Sequence, residues 1–194
     1  ADGDLPLADG RLFGAALANR HMHPIGDLPA DACTLQLGIP GPWHERLPHF
    51  RIDATPSAGN ELQSEYFVPR RHAVEAIRAV RSLHAMISPH LLISEIRAIA
   101  ADDFWLSPAY EQDCIGIHFT WKQDWPSVRA VLPHIEAALE PFGAKPHWGK
   151  LFTFAPSQLQ PRYARLEAFR ALAAAYDPHG KLRNALVQDA LYLA

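Results

Sequence analysis

Cysteine is scarce in this sequence. Only Cys33 and Cys114 occur among 194 residues. They lie far apart and form no CxxC, so the natural reading is a reduced, cytoplasmic setting rather than a disulfide scaffold. Long apolar runs are missing too. None approaches the roughly 20 residues that a membrane helix needs, and no basic segment followed by an apolar one opens the chain as a secretory signal would. Charge of one sign is also lacking. The net charge is -3, which gives no reason to expect nucleic acid or an anionic membrane as a partner. The phosphate-cradling loops GxGxxG and GxxxxGK[ST] are absent, and so is the GxSxG elbow. His21-Met22-His23 has no third ligand near it, so no metal site is expected. The first residue is Ala1 rather than Met, and the chain reads as processed or cut.

What remains is enough for one domain with a proper core. Residues 1–31 are rich in Gly, Pro, Asp and Ala and read as a loop, partly disordered. Short strands are expected at Cys33–Leu37, His49–Asp53 and Leu62–Val68. The period then changes. Val74, Ile77, Val80, Leu83 and Ile87 recur at helical spacing, which predicts a helix over 71–87 stopped by Pro89. Leu91 to Ala100 is the strongest strand, and Cys114 to Trp121 is another. A second helix should follow Asp124, a suitable N-cap, with Pro126 in its first turn. It carries Val128, Val131, Leu132, Ile135 and Leu139 on one face, and Pro133 should distort it locally. A third helix is expected over 161–176, ended by Asp177-Pro178-His179-Gly180. The helices are too few for a doubly wound sheet. The pattern predicts an α+β fold, a mostly antiparallel sheet with helices packed on one face and a helical C-terminal tail. The expected parts are a lead-in (1–31), a substrate-binding domain (32–160) and a C-terminal helix and tail (161–194).

Three short motifs could carry chemistry. Glu95 and Arg97 are two apart in a strand and share a face, with Leu91, Ile93 and Ile99 beside them and Ile96 opposite. They could line a polar pocket or form a surface ion pair worth little to stability. His118 and Thr120 likewise share a face, and a lone histidine is more often structural than catalytic. Lys150 follows Lys145-Pro146-His147-Trp148-Gly149. It could place a fixed positive charge in a site or be a snorkelling surface lysine.

Taken in order, these segments resemble the C-terminal part of alditol oxidases, within the vanillyl-alcohol-oxidase-like flavoproteins. The resemblance rests on Gln36-Leu37-Gly38-Ile39-Pro40-Gly41-Pro42-Trp43-His44, Glu61-Leu62-Gln63-Ser64-Glu65-Tyr66 and Ser94-Glu95-Ile96-Arg97. It continues through His118-Phe119-Thr120-Trp121, Pro146-His147-Trp148-Gly149-Lys150 and Asp177-Pro178-His179-Gly180-Lys181. Leu182 departs from the Phe that many relatives carry there.

The resemblance implies a two-domain parent. An N-terminal domain, absent here, would hold FAD covalently, and this chain would be the cap over the flavin ring. The implied reaction oxidises the terminal hydroxyl of a polyol such as xylitol or sorbitol to an aldose. Oxygen is reduced to hydrogen peroxide, and the flavin carries the redox chemistry. Glu95, Arg97, Thr120 and Lys150 would hold substrate hydroxyls, with His118 in the pocket wall. Arg97 and Lys150 would stabilise alkoxide character at the reacting oxygen. His147 would lie near the flavin, as would Lys150. Two alternatives stand beside this: a sugar-lactone oxidase of the arabinonolactone or gulonolactone type, and a non-catalytic carbohydrate-binding domain. The chain alone is expected to be catalytically silent.

Overall fold

The computed structural model describes residues 11–12, 15–23, 28–46, 50–54 and 60–192. The chain divides into two compact units, Ala1–Gly59 and Asn60–Ala194.

In the first unit, β1 (Arg11–Leu12) and β2 (Ala15–Ala16) form a small antiparallel pair inside the stretch expected to be loop. The first ten residues of that stretch lie outside the described residues. The expected strand Cys33–Leu37 does not form. Cys33 makes an isolated bridge to Phe50, and the chain then turns at Leu37 and Gly38, both left-handed with φ of 66° and 68°. Two successive positive φ values make a tight reversal that a continuing strand cannot contain. Of the expected strand at 49–53, His49 lies outside the described residues, and Ile52 and Asp53 form a turn. Gln36 ties this unit together. Its side chain accepts from the Met22 amide at 2.9 Å and donates to the Met22 carbonyl at 2.7 Å, as a neighbouring strand would. The Gln36 amide donates to His21 Nδ1 at 3.2 Å, so this histidine nitrogen serves the backbone.

The second unit is built on a four-stranded antiparallel sheet of order β4-β5-β3-β6. Its strands are β3 (Leu62–Pro69), β4 (Leu91–Ile99), β5 (Cys114–Trp121) and β6 (Lys145–Pro146). β5 is central and buried along its whole length. One face presents Tyr66, Val68, Ile117, Phe119 and Trp121 to α1 (Ala73–Ser82) and α3 (Trp125–Leu139). Those helices contribute Ala76, Val80, Val128, Val131, Leu132, Ile135 and Leu139 to the same core. The expected α+β architecture, with helices on one face, is what forms.

α3 starts as its sequence suggests. The Asp124 side chain accepts from the Ser127 amide, Pro126 stands in the first turn, and the helix runs unbroken through Pro133. The helix expected over 71–87 is instead a 3₁₀ turn at Arg70–His72, then α1, then the single turn α2 (His84–Ile87). Leu83 interrupts it at ψ 8°, where its amide takes a three-residue bond to Val80 O. A final group of helices follows: α4 (Pro156–Leu159), α5 (Leu166–Tyr176) and α6 (Ala185–Tyr192). α5 begins later than expected. Pro161 belongs to a 3₁₀ turn, and Tyr163 is extended and buried. Asp177 stops α5, accepting from the Lys181 and Leu182 amides while Gly180 takes φ 65°. Among the described residues no helix is long and apolar enough to cross a membrane.

Candidate functional site

The sheet face turned away from α1 and α3 carries the polar residues. Register places Glu65 opposite His118 and His118 opposite Glu95 across β3, β5 and β4. The next rung is Phe67, Gly116 and Arg97. Along β4, Ile93, Glu95, Arg97 and Ile99 lie on the less exposed side and Ile96 on the other, as the strand periodicity predicts, but a bulge between Leu91 and Ile93 sets Leu91 opposite Trp121 and against the core instead.

Glu65 is the hub, and at 4% exposure it is almost wholly buried. Arg97 Nη1 donates to its Oε1 at 2.8 Å, and Lys150 Nζ donates to its Oε2 at 2.6 Å. Arg97 Nη2 also donates to Glu95 Oε2 at 2.7 Å. Burial would by itself raise the Glu65 pKa. His118, Lys150 and Arg97 outweigh it and hold the carboxyl well below the usual range. His118 Nδ1 stands 3.6 Å from Glu65 Oε2, too far for a good hydrogen bond, so the two cations do most of this. Two carboxylates and two cations leave the network formally neutral, as burial requires.

Hydrogen-bond logic fixes the state of the histidine. An ammonium only donates. Lys150 Nζ lies 2.9 Å from His118 Nδ1, so Nδ1 accepts and Nε2 carries the proton. That Nε2–H then donates to Thr120 Oγ1 at 3.1 Å. Lys150 uses two of its three N–H groups in this way, and among the described residues the third has no recorded partner. Its side chain is 17% exposed, and that of Arg97 is 40% exposed.

The turn that delivers Lys150 is an interrupted strand. His147 N donates to Glu65 O and Leu151 N to Gln63 O, with residues 148–150 looped out between them. Trp148 Nε1 fastens the loop to Leu106 O at 2.9 Å. Gly116 makes room on the opposite side. A Cβ there would sit 2.8 Å from Glu65 Oε1, so a larger residue would collide with the carboxylate that Arg97 grips.

Five of the expected site residues, Glu95, Arg97, His118, Thr120 and Lys150, thus form one connected network. His147 stands at its edge. Its ring stacks on Phe67 at 6.0 Å and its Nδ1 accepts the Gly149 amide at 3.0 Å. Burial, then the nearby Lys150 charge, lowers its pKa and keeps it neutral. Glu65 was not among the expected site residues. The available signal was an acid inside Leu62–Val68, a strand otherwise apolar enough to be central.

An α+β domain with one helix-covered sheet face and one charged, partly exposed face is the class that fold and site define. The D-arabinono-1,4-lactone oxidase family pattern matches residues 57–190, and the chain belongs to that family. The chain is 48% identical over 170 residues to an alditol oxidase from a Streptomyces species, covering 88% of this chain and 41% of that protein. It is 31% identical over 133 residues to an L-gulono-1,4-lactone dehydrogenase from Mycobacterium tuberculosis, covering 66% of this chain and 30% of that protein. The chain therefore spans less than half the length of the curated relatives it matches.

Proposed function

We propose that this chain is the substrate-binding cap of an FAD-dependent oxidase acting on the terminal hydroxyl of alditols such as xylitol and sorbitol. The observation that carries the reading is the pairing of Arg97 and Lys150 on one buried carboxylate. That arrangement fixes two cationic donors beside each other on an accessible face before any ligand arrives. Preorganised donors of this kind favour an oxygen that gains negative charge as its proton leaves. Glu95, half exposed, accepts from a neighbouring substrate hydroxyl. The Thr120 hydroxyl already receives the His118 proton and is left to donate its own.

The residues fit a supporting role toward FAD rather than that of holding it. The sequence has no GxGxxG loop. The charged face is bordered by the flat Phe67–His147 stack, which suits a neighbouring aromatic ring. FAD, held by a partner domain of the parent, would accept the two electrons and pass them to oxygen. The balance is simple. The carbinol carbon loses two electrons and two protons to become an aldehyde, and O2 takes both pairs to give H2O2. By the same reasoning the chain alone is inactive.

A lactone oxidase is the second reading, favoured by the family description and by the lactone-dehydrogenase relative. The higher identity to an alditol oxidase is what supports the polyol reading ahead of it. The test is peroxide production by the flavin-loaded full-length protein on xylitol, sorbitol and an aldono-1,4-lactone. Turnover of polyols in preference to the lactone supports the cap reading. No peroxide from any polyol would overturn it.

A further inference from the structure

A cavity of about 480 Å³, with a mixed polar and apolar lining, opens at the end of the sheet. Arg71, His72, Glu111, Gln112, Lys145 and Arg162 contribute to its lining. Lys145 is the anomaly. It is 8% exposed, yet its ammonium has no hydrogen bond among the described residues. Its nearest recorded partner is the face of the Tyr163 ring, 5.2 Å from Nζ. Burial lowers the Lys145 pKa, and an anion reaching its Nζ through the cavity would offset that cost. Asp102 acts on it only from a distance; its carboxylate accepts from Ser107 Oγ at 2.5 Å and the Phe104 amide at 3.1 Å and makes no ion pair with Lys145.

The rest of the lining points the same way. Arg162 spends its guanidinium on Gln158 O, Ala144 O and the Glu140 carboxylate, and so contributes neither a free donor nor an unpaired charge. Arg71 gives Nε to His72 Nε2 and Nη1 to Gln112 Oε1, and its Nη2 keeps both protons. His72, accepting at Nε2, carries its proton on Nδ1. It also precedes the first residue of α1, a ten-residue helix whose N-terminus has no side-chain cap. Lys145 and Arg71, neither of them in an ion pair among the described residues, face the carboxylate of Glu111 beside the start of α1, which leaves the cavity with one positive charge in excess.

We infer that this cavity binds a phosphate-type oxoanion, free or as the phosphate ester of a small metabolite, with Lys145 and Arg71 as its charged donors. The site is separate from the Glu65 network and does not depend on the oxidase reading. Its occupant would complete the salt bridge that Lys145 lacks. The volume exceeds that of phosphate alone and leaves space for a short organic chain.

Calorimetric titration of the full-length protein with inorganic phosphate and with sorbitol 6-phosphate, at low ionic strength, tests this. Saturable binding of at least one is expected, the tighter ligand showing whether the anion is free or esterified. Lys145→Met should weaken binding about tenfold or more, as expected for losing a charged hydrogen bond. Arg71→Gln, at an exposed position, should weaken it several-fold, by about the same logic at a wetter site, and gives a readout even if Lys145→Met fails to fold. Arg97→Lys should leave phosphate binding unchanged. No saturable binding, binding unaffected by both cavity variants, or binding abolished by Arg97→Lys would each overturn the inference.

Discussion

Arg97 and Lys150 grip opposite oxygens of the Glu65 carboxylate, Nη1 on Oε1 at 2.8 Å and Nζ on Oε2 at 2.6 Å. The two cations arrive from different parts of the chain, one on β4 and one on the loop after β6. Without the carboxylate between them they would repel. Glu65 therefore turns two scattered positive charges into a preorganised pair.

Glu65→Gln keeps the shape and removes the charge. The amide still accepts at one oxygen, but its NH2 now faces a cation. Polyol turnover by the full-length protein is expected to fall by about 10²–10³, the usual cost of disturbing a preorganised charge site. Because Glu65 acts through its two partners, the loss should lie mainly in kcat. Stability should fall by about 3 kcal/mol, the lower end for a broken buried ion pair, since Arg97 is partly solvated. Unchanged kcat with a normal melting temperature would contradict the hub role.

Gly116→Ala tests the same contact from the other side. Its new methyl would meet Glu65 Oε1 at 2.8 Å and Ile99 Cδ1 at 3.2 Å. The carboxylate is pinned and cannot swing away cheaply. Overpacking of this kind costs about 1–3 kcal/mol. Steady-state assay should show a loss of turnover larger than the stability loss alone explains. An alanine variant with wild-type kinetics would mean that the carboxylate has more play than its two cations suggest.

Lys150→Met removes the donor to both Glu65 and His118. Lys150→Arg keeps the charge but cannot place a compact ammonium between the two. Both should lower kcat, the methionine variant by the larger factor. In the methionine variant the His118 ring loses the partner that fixes its tautomer. Histidine NMR should then show His118 exchanging between Nδ1–H and Nε2–H forms. A spectrum identical to wild type would exclude Lys150 as the group that sets the tautomer.

Much of this was legible in the sequence for a physical reason. Alternation in Leu91–Ala100 put Glu95 and Arg97 on one face because strand side chains alternate regardless of context. The Asp124 cap and the Asp177 stop were readable because each satisfies amides a few residues away. The hub was not readable. Glu65 gains its meaning from Arg97 and Lys150, 32 and 85 residues distant, and local pattern holds no record of such pairing. Pattern shows α6 only as part of a helical tail, although Asn184, which accepts the Val187 amide at 2.8 Å, signals its start. Cys33–Leu37 misled because its apolar alternation is that of a strand, while Leu37-Gly38 reverses the chain.

Glu136 offers a prediction of opposite sign to the usual acid response. It sits on α3 at 6% exposure and accepts from Tyr66 Oη at 2.9 Å, Thr153 N at 2.6 Å and Thr153 Oγ1 at 2.6 Å. Burial raises its pKa, and the three donors recover only part of that rise. An acid whose folded pKa is raised favours folding most when protonated. Its contribution is fully present below its unfolded value, about 4.3, and is lost as pH rises through the higher folded value. Glu65 behaves in the reverse sense. Its contribution is present above the unfolded value and disappears only as pH falls well below the carboxylate range. Between these limits, mild acidification should stabilise the wild-type protein through Glu136 without yet costing anything at Glu65. Glu136→Gln mimics the protonated form, keeping an acceptor for Tyr66 and a donor for Thr153. It should be more stable than wild type at neutral pH and lose the rise on acidification. Denaturant unfolding from neutral pH down to the carboxylate range would show this. A glutamine variant whose stability follows the wild-type pH curve would mean that Glu136 is held fully ionised by its three donors.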